Sequence, residues 1–430
     1  HSSAVDFALL KDGKLIELNK EVEDNKFSVG DIFVGKVRKA IPGLNAAFVN
    51  VGHEKDGFLH YHDLGPKLPS LVKYIKQIST GKNKDYLLKQ FRYENDINKD
   101  GNIDEVLSPK QIVLVQVVKE PISTKGPRLS SEISLAGRFM VLMPFSDRVS
   151  ISQKIESRAE KNRLKKLVQS IRPKGFGLII RTVAEGQKVA ALDADIQQLL
   201  TRWKNLSIKL KQIDKYPSKV LSEINRSSSI LRDIFDDNFT GIHVDDAQMQ
   251  SEIHDYIETI APDKKSIIKL YDNHLPIFEK FGIERQIKSS FGTTVSMQKG
   301  AYLVIEHTEA LHVIDVNSGN RSNRSKSQEE TAMEVNLIAA SEIARQLRLR
   351  DMGGIIVVDF IDLNSNSNRK KLFEYLTNEM STDRTKHKIL PPSRFGLIQI
   401  TRQRVRPEMN IKTKEPNPNV NGEIEAPIVI

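Results

Sequence analysis

Two aspartates stand toward the ends of apolar runs. HVIDVNSG (312–319) carries Asp315 and Asn317 and closes on Gly319, and IIVVDFIDL (355–363) carries Asp359. A carboxylate inside an apolar run costs several kcal/mol unless it is paired, protonated or on a metal. Two that share a site repel, and a cation between them is the economical resolution. An all-oxygen ligand set favours magnesium, with manganese as a substitute. Asn317 shares a strand face with Asp315 by alternation, where it can orient a water or a phosphate. Such a metal generates hydroxide and stabilises a pentavalent phosphorane. The plain alternative is that each aspartate only caps a turn.

The elements between these residues decide whether they meet. Ser327 with Glu330 three residues on makes a capping box and opens a helix over about 328–350, with Gly353-Gly354 as the stop. Met333, Leu337, Ala340, Ala344 and Leu347 recur at helical spacing, so one face packs on a sheet. Strand, helix, strand is a βαβ unit, right-handed with parallel strands. Parallel strands end on one side, where ligands bind. The loop RSNRSKS adds Arg321, Arg324 and Lys326 beside Asp315, which suits a phosphodiester. Arg402, Arg404 and Arg406 alternate along QITRQRVRP. They read equally as the lining of one strand face or as a basic edge that blocks aggregation.

The first half of the chain reads differently. Residues 3–20 alternate around Lys11-Asp12-Gly13-Lys14, a hairpin. From Gly30 short strands follow one another (DIFVGKVRKA, AAFVNVG, DGFLHYHDL, then IVLVQVVKE at 112–120), the pattern of a small barrel. Residues 65–110, rich in Lys, Asn, Asp and Gly, read as an insertion. Phe48 and Phe58 fall on neighbouring strands, where exposed aromatics stack bases; the alternative places both in the core. His60 is either an RNA contact or a surface histidine. RFMVLMPF, a charged helix at 157–171, GFGLIIRTV and an amphipathic helix at about 187–213 come next. Arg181 and Thr182 end a strand with a guanidinium fork and a hydroxyl, a phosphate grip or simply a wet strand end. Asp96, Asn98, Asp100, Gly101 and Asp104 match an EF-hand loop, but its twelfth position is Leu107 and a strand follows. An Asn/Asp/Gly turn is the plainer reading there. Residues 218–290 mix helices with short strands.

Composition sets the bounds. At 430 residues, 39% hydrophobic and 28% charged, the chain is globular and long enough for several domains. The net charge of +10 points mildly to a polyanionic partner. No cysteine is present, which excludes disulfides and thiolate zinc sites and fits a cytoplasmic protein. No apolar run spans a membrane and no signal pattern opens the chain. The chain opens without Met, and its Pro- and Asn-rich end closes on PIVI, so the natural protein is expected to extend beyond it.

HVIDVNSG, ETAMEVNLIAASEIARQLRLRDMGGIIVVDFIDL and SRFGLIQITRQRVRP together resemble the catalytic signature of the ribonuclease E/G family. GKVRKAIPGLNAAFVNVGHEKDGFLH resembles its S1-type barrel, and GFGLIIRTVAEG its 5′-end sensor; the likeness runs over about 1–410. It implies an α/β and α+β multidomain protein. An RNase H-like fold (1–28 and 223–290) would hold an inserted S1-type OB barrel (29–128, itself interrupted at 65–110) and a 5′-sensor (129–222). A DNase I-like catalytic subdomain (291–412) and a linker (413–430) would follow.

The resemblance puts two magnesium ligands on Asp315 and Asp359 and a supporting catalytic group on Asn317. It puts RNA-clamping aromatics on Phe48 and Phe58, basic partners on Lys119 and Lys125, and a 5′-monophosphate pocket on Gly137, Val141, Arg181 and Thr182. A further Arg of that pocket is replaced by Lys386, a point charge instead of a planar fork. RPEMNIKTKEPNPN stands where the family carries a Cys-x-x-Cys zinc link between protomers, so no zinc is expected and any homodimer is not zinc-linked. The implied activity is magnesium-dependent endonucleolytic cleavage of single-stranded, AU-rich RNA in RNA processing and decay, with a 5′-monophosphate preference. Two other classes share features: a non-catalytic RNA-binding scaffold, which needs neither aspartate, and a DNA-acting nuclease, against which the barrel argues.

Overall fold

Alternation around Asp12 and Gly13 folds the start of the chain into a hairpin, β1 (Ala4–Lys11) and β2 (Lys14–Val22). Both turn residues adopt positive φ, 51° and 75°, as a tight hairpin turn requires. The computed structural model describes residues 4–22, 26–82, 85–121, 125–222, 230–232, 234–235, 238–319, 327–393, 395–404, 408–409 and 411. The chain forms two compact units, Asp24–Tyr271 and a second composed of His1–Glu23 with Asp272–Ile430.

Within Asp24–Tyr271, β3 (Ile32–Ile41), β4 (Ala46–Asn50), β5 (Gly57–His60), β6 (Ile112–Lys119) and β7 (Arg128–Ser130) form a closed barrel. Their order is β3-β4-β5-β7-β6, and β6 pairs back onto β3. Only the β5–β7 pairing is parallel. Val37, Val49, Leu59, Val115 and Leu129 fill the interior. Gly35 lets two strands approach there, since a Cβ would lie 2.7 Å from the Val49 side chain and 2.8 Å from the Asn50 carbonyl.

Residues 65–110 are more than a surface insertion. Their helix α1 (Leu68–Ser79) buries Leu71, Tyr74, Ile75 and Ile78 in the same core as Trp203. The Tyr74 ring stacks on Trp203 at 5.7 Å and its hydroxyl pairs with Ser207 at 2.7 Å. A polar composition hid an apolar stripe at helical spacing. The short helix α2 (Ile103–Val106) seats Ile103 and Leu107 in the barrel core.

A second sheet follows in the order β10-β11-β9-β8: β8 (Leu135–Ala136), β9 (Met140–Pro144), β10 (Val149–Ile151) and β11 (Phe176–Ile180). Its core is covered by α3 (Arg158–Ile171), capped by Ser157, and α4 (Val189–Lys211). β12 (Ser218–Leu221) returns to pair with β3. A parallel pair, β13 (Ile242–Val244) and β14 (Ile268–Leu270), flanks α5 (Ala247–Ile260).

The second unit holds α6 (Ile277–Lys280), α7 (Ile283–Ser290) and a six-stranded sheet in the order β15-β16-β17-β18-β20-β19. Its strands are β15 (Thr294–Ser296), β16 (Tyr302–His307), β17 (Leu311–Asn317), β18 (Gly354–Asp359), β19 (His387–Ile389) and β20 (Ile398–Arg402). Helix α8 (Gln328–Leu349) joins β17 to β18, which are parallel, and carries the expected capping box at Ser327 and Glu330. Its end differs from expectation: Asp351, at φ 50°, makes the left-handed turn, and the Met352 N–H bonds the Leu347 carbonyl. α9 (Asn366–Ser381) follows β18. Ile314, Val316, Ile356, Val358, Ile398 and Ile400 share a core with Ala340, Ala344 and Leu347 of α8. The first hairpin packs here too, Leu15 and Leu18 against Ile283 and Ile287. The Arg345 guanidinium donates to the Leu15 carbonyl at 2.7 Å and is paired with the buried Glu342.

Arg402 is buried at the end of β20, with Nε 2.7 Å from Asp383 Oδ2 and Nη1 2.8 Å from Asp351 Oδ1. Burial pushes the Asp383 carboxyl up, but the hydrogen bond and charge of Arg402 outweigh it and hold the group below the ordinary range. A folded-state pKa below the unfolded one contributes stability above the unfolded value and loses it as pH falls. Stability carried by this pair is therefore expected to drop as pH falls through and below the ordinary aspartate range. Asp383→Ala removes that acid-dependent loss and, by leaving Arg402 short of a partner, costs about 3–5 kcal/mol. Denaturant midpoints of both proteins across pH measure this.

Candidate functional site

The register of β17 and β18 places Asp315 directly opposite Asp359. Both side chains lie on the exposed face, while Ile314, Val316 and Val358 turn to the helices. The aspartates are thus not sunk in the apolar runs that carry them; alternation lifts them to the outer face. The Asn317 amide, on that same face, donates to Asp315 Oδ2 at 2.7 Å and fixes its rotamer. The Asp359 carboxyl is raised above its ordinary range, first by partial burial, then by the negative charges of Asp315 and Asp362. Crowded carboxylates of this kind are relieved by a cation. The donor set fits magnesium or manganese: carboxylate oxygens, an amide beside them and open solvent for water ligands.

Asp362 is a functional candidate that the sequence reading passed over, although it lies three residues past Asp359 in the same signature. Its loop is organised by Glu329 in the first turn of α8. That carboxylate accepts from the Asn364 N–H at 2.9 Å, the Ser365 N–H at 3.2 Å and the Asn368 amide at 2.8 Å. These donors hold Glu329 below the ordinary carboxylate range. Gly396 lies nearby, its Cβ position 3.7 Å from Asp362, and the neighbouring Phe395 is 87% exposed.

The basic residues expected around the pair divide. Arg321, Arg324, Lys326 and Arg406 lie outside the described residues. Arg402 does not line the outer face: it shares the covered face with Ile398 and Ile400 and is consumed by Asp383 and Asp351. Arg404 donates to the Gly353 carbonyl at 3.2 Å.

On the barrel the cross-strand partners run Lys39, Phe48, Phe58, Arg128, Lys119, a single row across β3, β4, β5, β7 and β6. Phe48 and Phe58 are half-buried, their rings 5.8 Å apart and edge-to-face. Lys39 sits over the Phe48 ring at 5.3 Å. Arg128 is held by Asp63 at 2.9 Å, and Lys119 and Lys125 are exposed. Lys39 and Arg128 were not anticipated; only the strand register puts them in this row. His60 follows Phe58 at 6.4 Å between ring centres.

In the second sheet, Arg181 Nη1 donates to the Gly137 carbonyl at 2.8 Å, and the Thr182 hydroxyl pairs with Ser152 at 3.0 Å. Gly137 has no room for a side chain, since its Cβ would lie 2.6 Å from Asp195 Oδ1. Asp195 accepts from the backbone N–H groups of Arg138, Phe139 and Met140 at 3.0, 2.9 and 2.9 Å. Burial nevertheless raises its pKa, against those bonds and the charge of Arg181. Val141 pairs with Ile179 and Ala136. Lys386 belongs to the other unit, exposed just before β19, and its carbonyl accepts from the Gln403 N–H at 2.9 Å.

In the EF-hand-like stretch Asp100 and Asp104 are exposed, and the other groups are held by neighbouring elements. Asp96 pairs with Lys67 at 2.6 Å, the Asn98 carbonyl accepts from the Tyr61 hydroxyl at 2.7 Å, and Leu107 is buried. These contacts are those of a packed turn.

The family described as ribonuclease E/G matches residues 134–405 of the chain. The chain is 33% identical over 417 residues to ribonuclease G of Haemophilus influenzae, covering 96% of this chain and 80% of that protein. It is 34% identical over 400 residues to ribonuclease G of Escherichia coli, covering 93% and 77%. To ribonuclease E of Nostoc sp. it is 37% identical over 380 residues, covering 87% of this chain and 51% of that protein.

The carboxylate pair makes a direct prediction. Asp315→Asn and Asp359→Asn should each weaken Mn2+ binding by roughly tenfold or more, since even outer-shell losses cost ~10–100-fold. The electron paramagnetic resonance signal of free Mn2+ reads this in titration, and unchanged affinity in both variants would take the pair out of metal binding.

Proposed function

The chain belongs to the ribonuclease E/G family, and on that premise we propose that it is a magnesium-dependent endoribonuclease acting on single-stranded RNA. The observation that carries the proposal is the register of Asp315 against Asp359 on the exposed sheet face, with Asn317 bonded to the first. Asp315 and Asp359 would hold the ion. When bound, the metal supplies an activated water and charge stabilisation for the phosphoryl group. Asn317 keeps Asp315 in one rotamer, and the loop organised by Glu329 keeps Asp362 close enough to raise Asp359. Water adds to the scissile phosphorus, the P–O3′ bond breaks, and the products carry a 5′-phosphate and a 3′-hydroxyl.

The row Lys39–Phe48–Phe58–Arg128–Lys119 supports a place for the strand. Aromatic faces stack bases without strong sequence choice, and flanking cations meet the phosphates. Lys125 adds to that charge. Gly137, Val141, Arg181 and Thr182 make up the proposed 5′-monophosphate sensor, and Lys386 is the residue that the family resemblance places at the sensor's further Arg position. A lysine there gives a less directional grip than an arginine, so 5′-end discrimination should be milder than a guanidinium would give. The proposed architecture is an RNase H-like fold interrupted by the S1-type barrel and the sensor, then a DNase I-like catalytic subdomain. AU-rich substrates, roles in RNA processing and decay and a cytoplasmic location belong to the same proposal. Among the described residues no helix is long and apolar enough to cross a membrane.

The test is cleavage of a fluorescent single-stranded RNA in magnesium, with a 5′-monophosphate or a 5′-triphosphate. Cutting should vanish in Asp359→Asn and run faster on the monophosphate. Equal rates on the two ends would remove the sensor, and tight binding without cutting would favour a scaffold. Phe48→Ala and Phe58→Ala should each weaken RNA binding by about 1–3 kcal/mol, roughly five- to 150-fold, in fluorescence anisotropy. Magnesium affinity should stay unchanged.

A further inference from the structure

The covered face of the sheet that carries Asp315 and Asp359 holds a group of side chains whose types can ligate a metal. His307 ends β16, His312 lies near the start of β17, and the two are cross-strand partners beside the turn joining those strands. Their Nδ1 atoms stand 2.7 Å apart. Glu408, beyond β20, brings Oε1 to 3.2 Å from His307 Nδ1 and Oε2 to 3.9 Å from His312 Nε2. His312 Nε2 lies 3.1 Å from the Gly353 carbonyl. A carbonyl only accepts, so Nε2 carries the proton and the Nδ1 lone pair of His312 faces His307. An imidazole whose second nitrogen donates to a backbone carbonyl is oriented as metal-ligating histidines are. Glu408 Oε1 is buried and makes no hydrogen bond; its approach to His307 is not aligned as one. A buried carboxylate oxygen without a donor is costly, and a cation at this point would satisfy it.

We propose that His307, His312 and Glu408 bind one zinc ion, with water as the fourth ligand, and that this ion fastens the chain beyond β20 to the β16–β17 turn. Two imidazoles and a carboxylate favour zinc over magnesium. Ligands at about 2.0–2.1 Å around a tetrahedral ion stand roughly 3.3 Å apart. The 3.2 Å His307–Glu408 separation already matches. The histidine pair opens by about half an ångström and gives up its mutual hydrogen bond, with His307 moving its proton to Nε2 on the exposed side of the ring. Arg350, whose charge acts on both Glu408 and His307, spends its hydrogen bonds on Gln346 Oε1 at 2.7 Å and on the carbonyls of Ser290 and Gly292 at 2.9 and 2.7 Å, so it donates none to Glu408 Oε1. The expectation of no zinc rests on the missing cysteines, which exclude thiolate sites but not imidazole ones. Alternation puts His312 with Ile314 and Val316, opposite the face of Asp315, so this site is separate from the carboxylate pair.

The test is a zinc titration of the chelator-stripped chain in excess magnesium, which occupies the carboxylate pair. A parallel cobalt titration reads tetrahedral geometry from the visible absorption. One zinc per chain is expected, with affinity falling at least roughly tenfold in His307→Gln and in Glu408→Gln. Asp359→Asn should leave it unchanged. Zinc should raise the melting temperature of the parent chain but not of the two variants. His307 is exposed, so its substitution leaves the core intact. The proposal falls if no zinc binds or if both variants bind it as the parent does. It falls equally if the loss follows His254→Gln, in the other such group, His254, Asp255 and Glu258.

Discussion

The parallel register of Leu311–Asn317 against Gly354–Asp359 is the constraint on which the candidate catalytic site depends. A one-residue slip of either strand would turn its aspartate to the covered face, because side chains alternate with period two. The slip is resisted from that covered face. Ile314, Val316, Ile356 and Val358 sit against Ala340, Ala344 and Leu347 of the crossover helix, and a shifted strand would expose the apolar set and bury the charges. The apolar face thus specifies where the charged face stands. Small alanines on the helix let it lie close to the sheet, and the capping box at Ser327 fixes where the helix begins.

The barrel depends on the same rule through a different topology. Lys39, Phe48, Phe58, Arg128 and Lys119 are scattered in sequence, and their row runs backwards along the chain at its last step. It exists because β7 lies parallel to β5 and antiparallel to β6, closing the barrel between them. An aromatic pair edge-to-face is worth about 0.5–1.5 kcal/mol beyond burial. Phe48 and Phe58 remain half-exposed, which leaves part of that surface for a ligand.

Local chemistry was legible in the sequence, as were the first hairpin and the parallel pairing of β17 with β18; the residue-for-residue register was not. The helix at 328–350 could be read from Ser327, Glu330 and the apolar spacing, and it appears as Gln328–Leu349. Asp315, Asn317 and Asp359 could be singled out because apolar runs that end in polar residues are conspicuous. That Asp315 faces Asp359 residue for residue depends on hydrogen bonding across the sheet, which no local pattern encodes. Helix α1 was missed within 65–110 because Lys and Gln between its apolar positions lower the mean hydropathy without breaking the stripe. The histidine–glutamate group was missed because His312 and Glu408 are far apart in sequence and meet only once β20 has carried the chain back past β18.

Arg402 shows how one strand serves two ends. Alternation along QITRQRV places Arg402 on the face of Ile398 and Ile400, and that face is covered. A guanidinium there must find full compensation, and it does so in Asp383, Asp351, the Met352 carbonyl and the Thr385 hydroxyl. Asp351 also makes the left-handed turn that ends the crossover helix, and Met352 and Gly353 lead into β18. The buried arginine therefore ties the last central strand to the turn that launches the strand of Asp359. Its contribution to function is through position: it sets where β18 begins, and five residues later that decides where Asp359 stands. A basic residue in a nuclease signature need not touch a phosphate to be required by it.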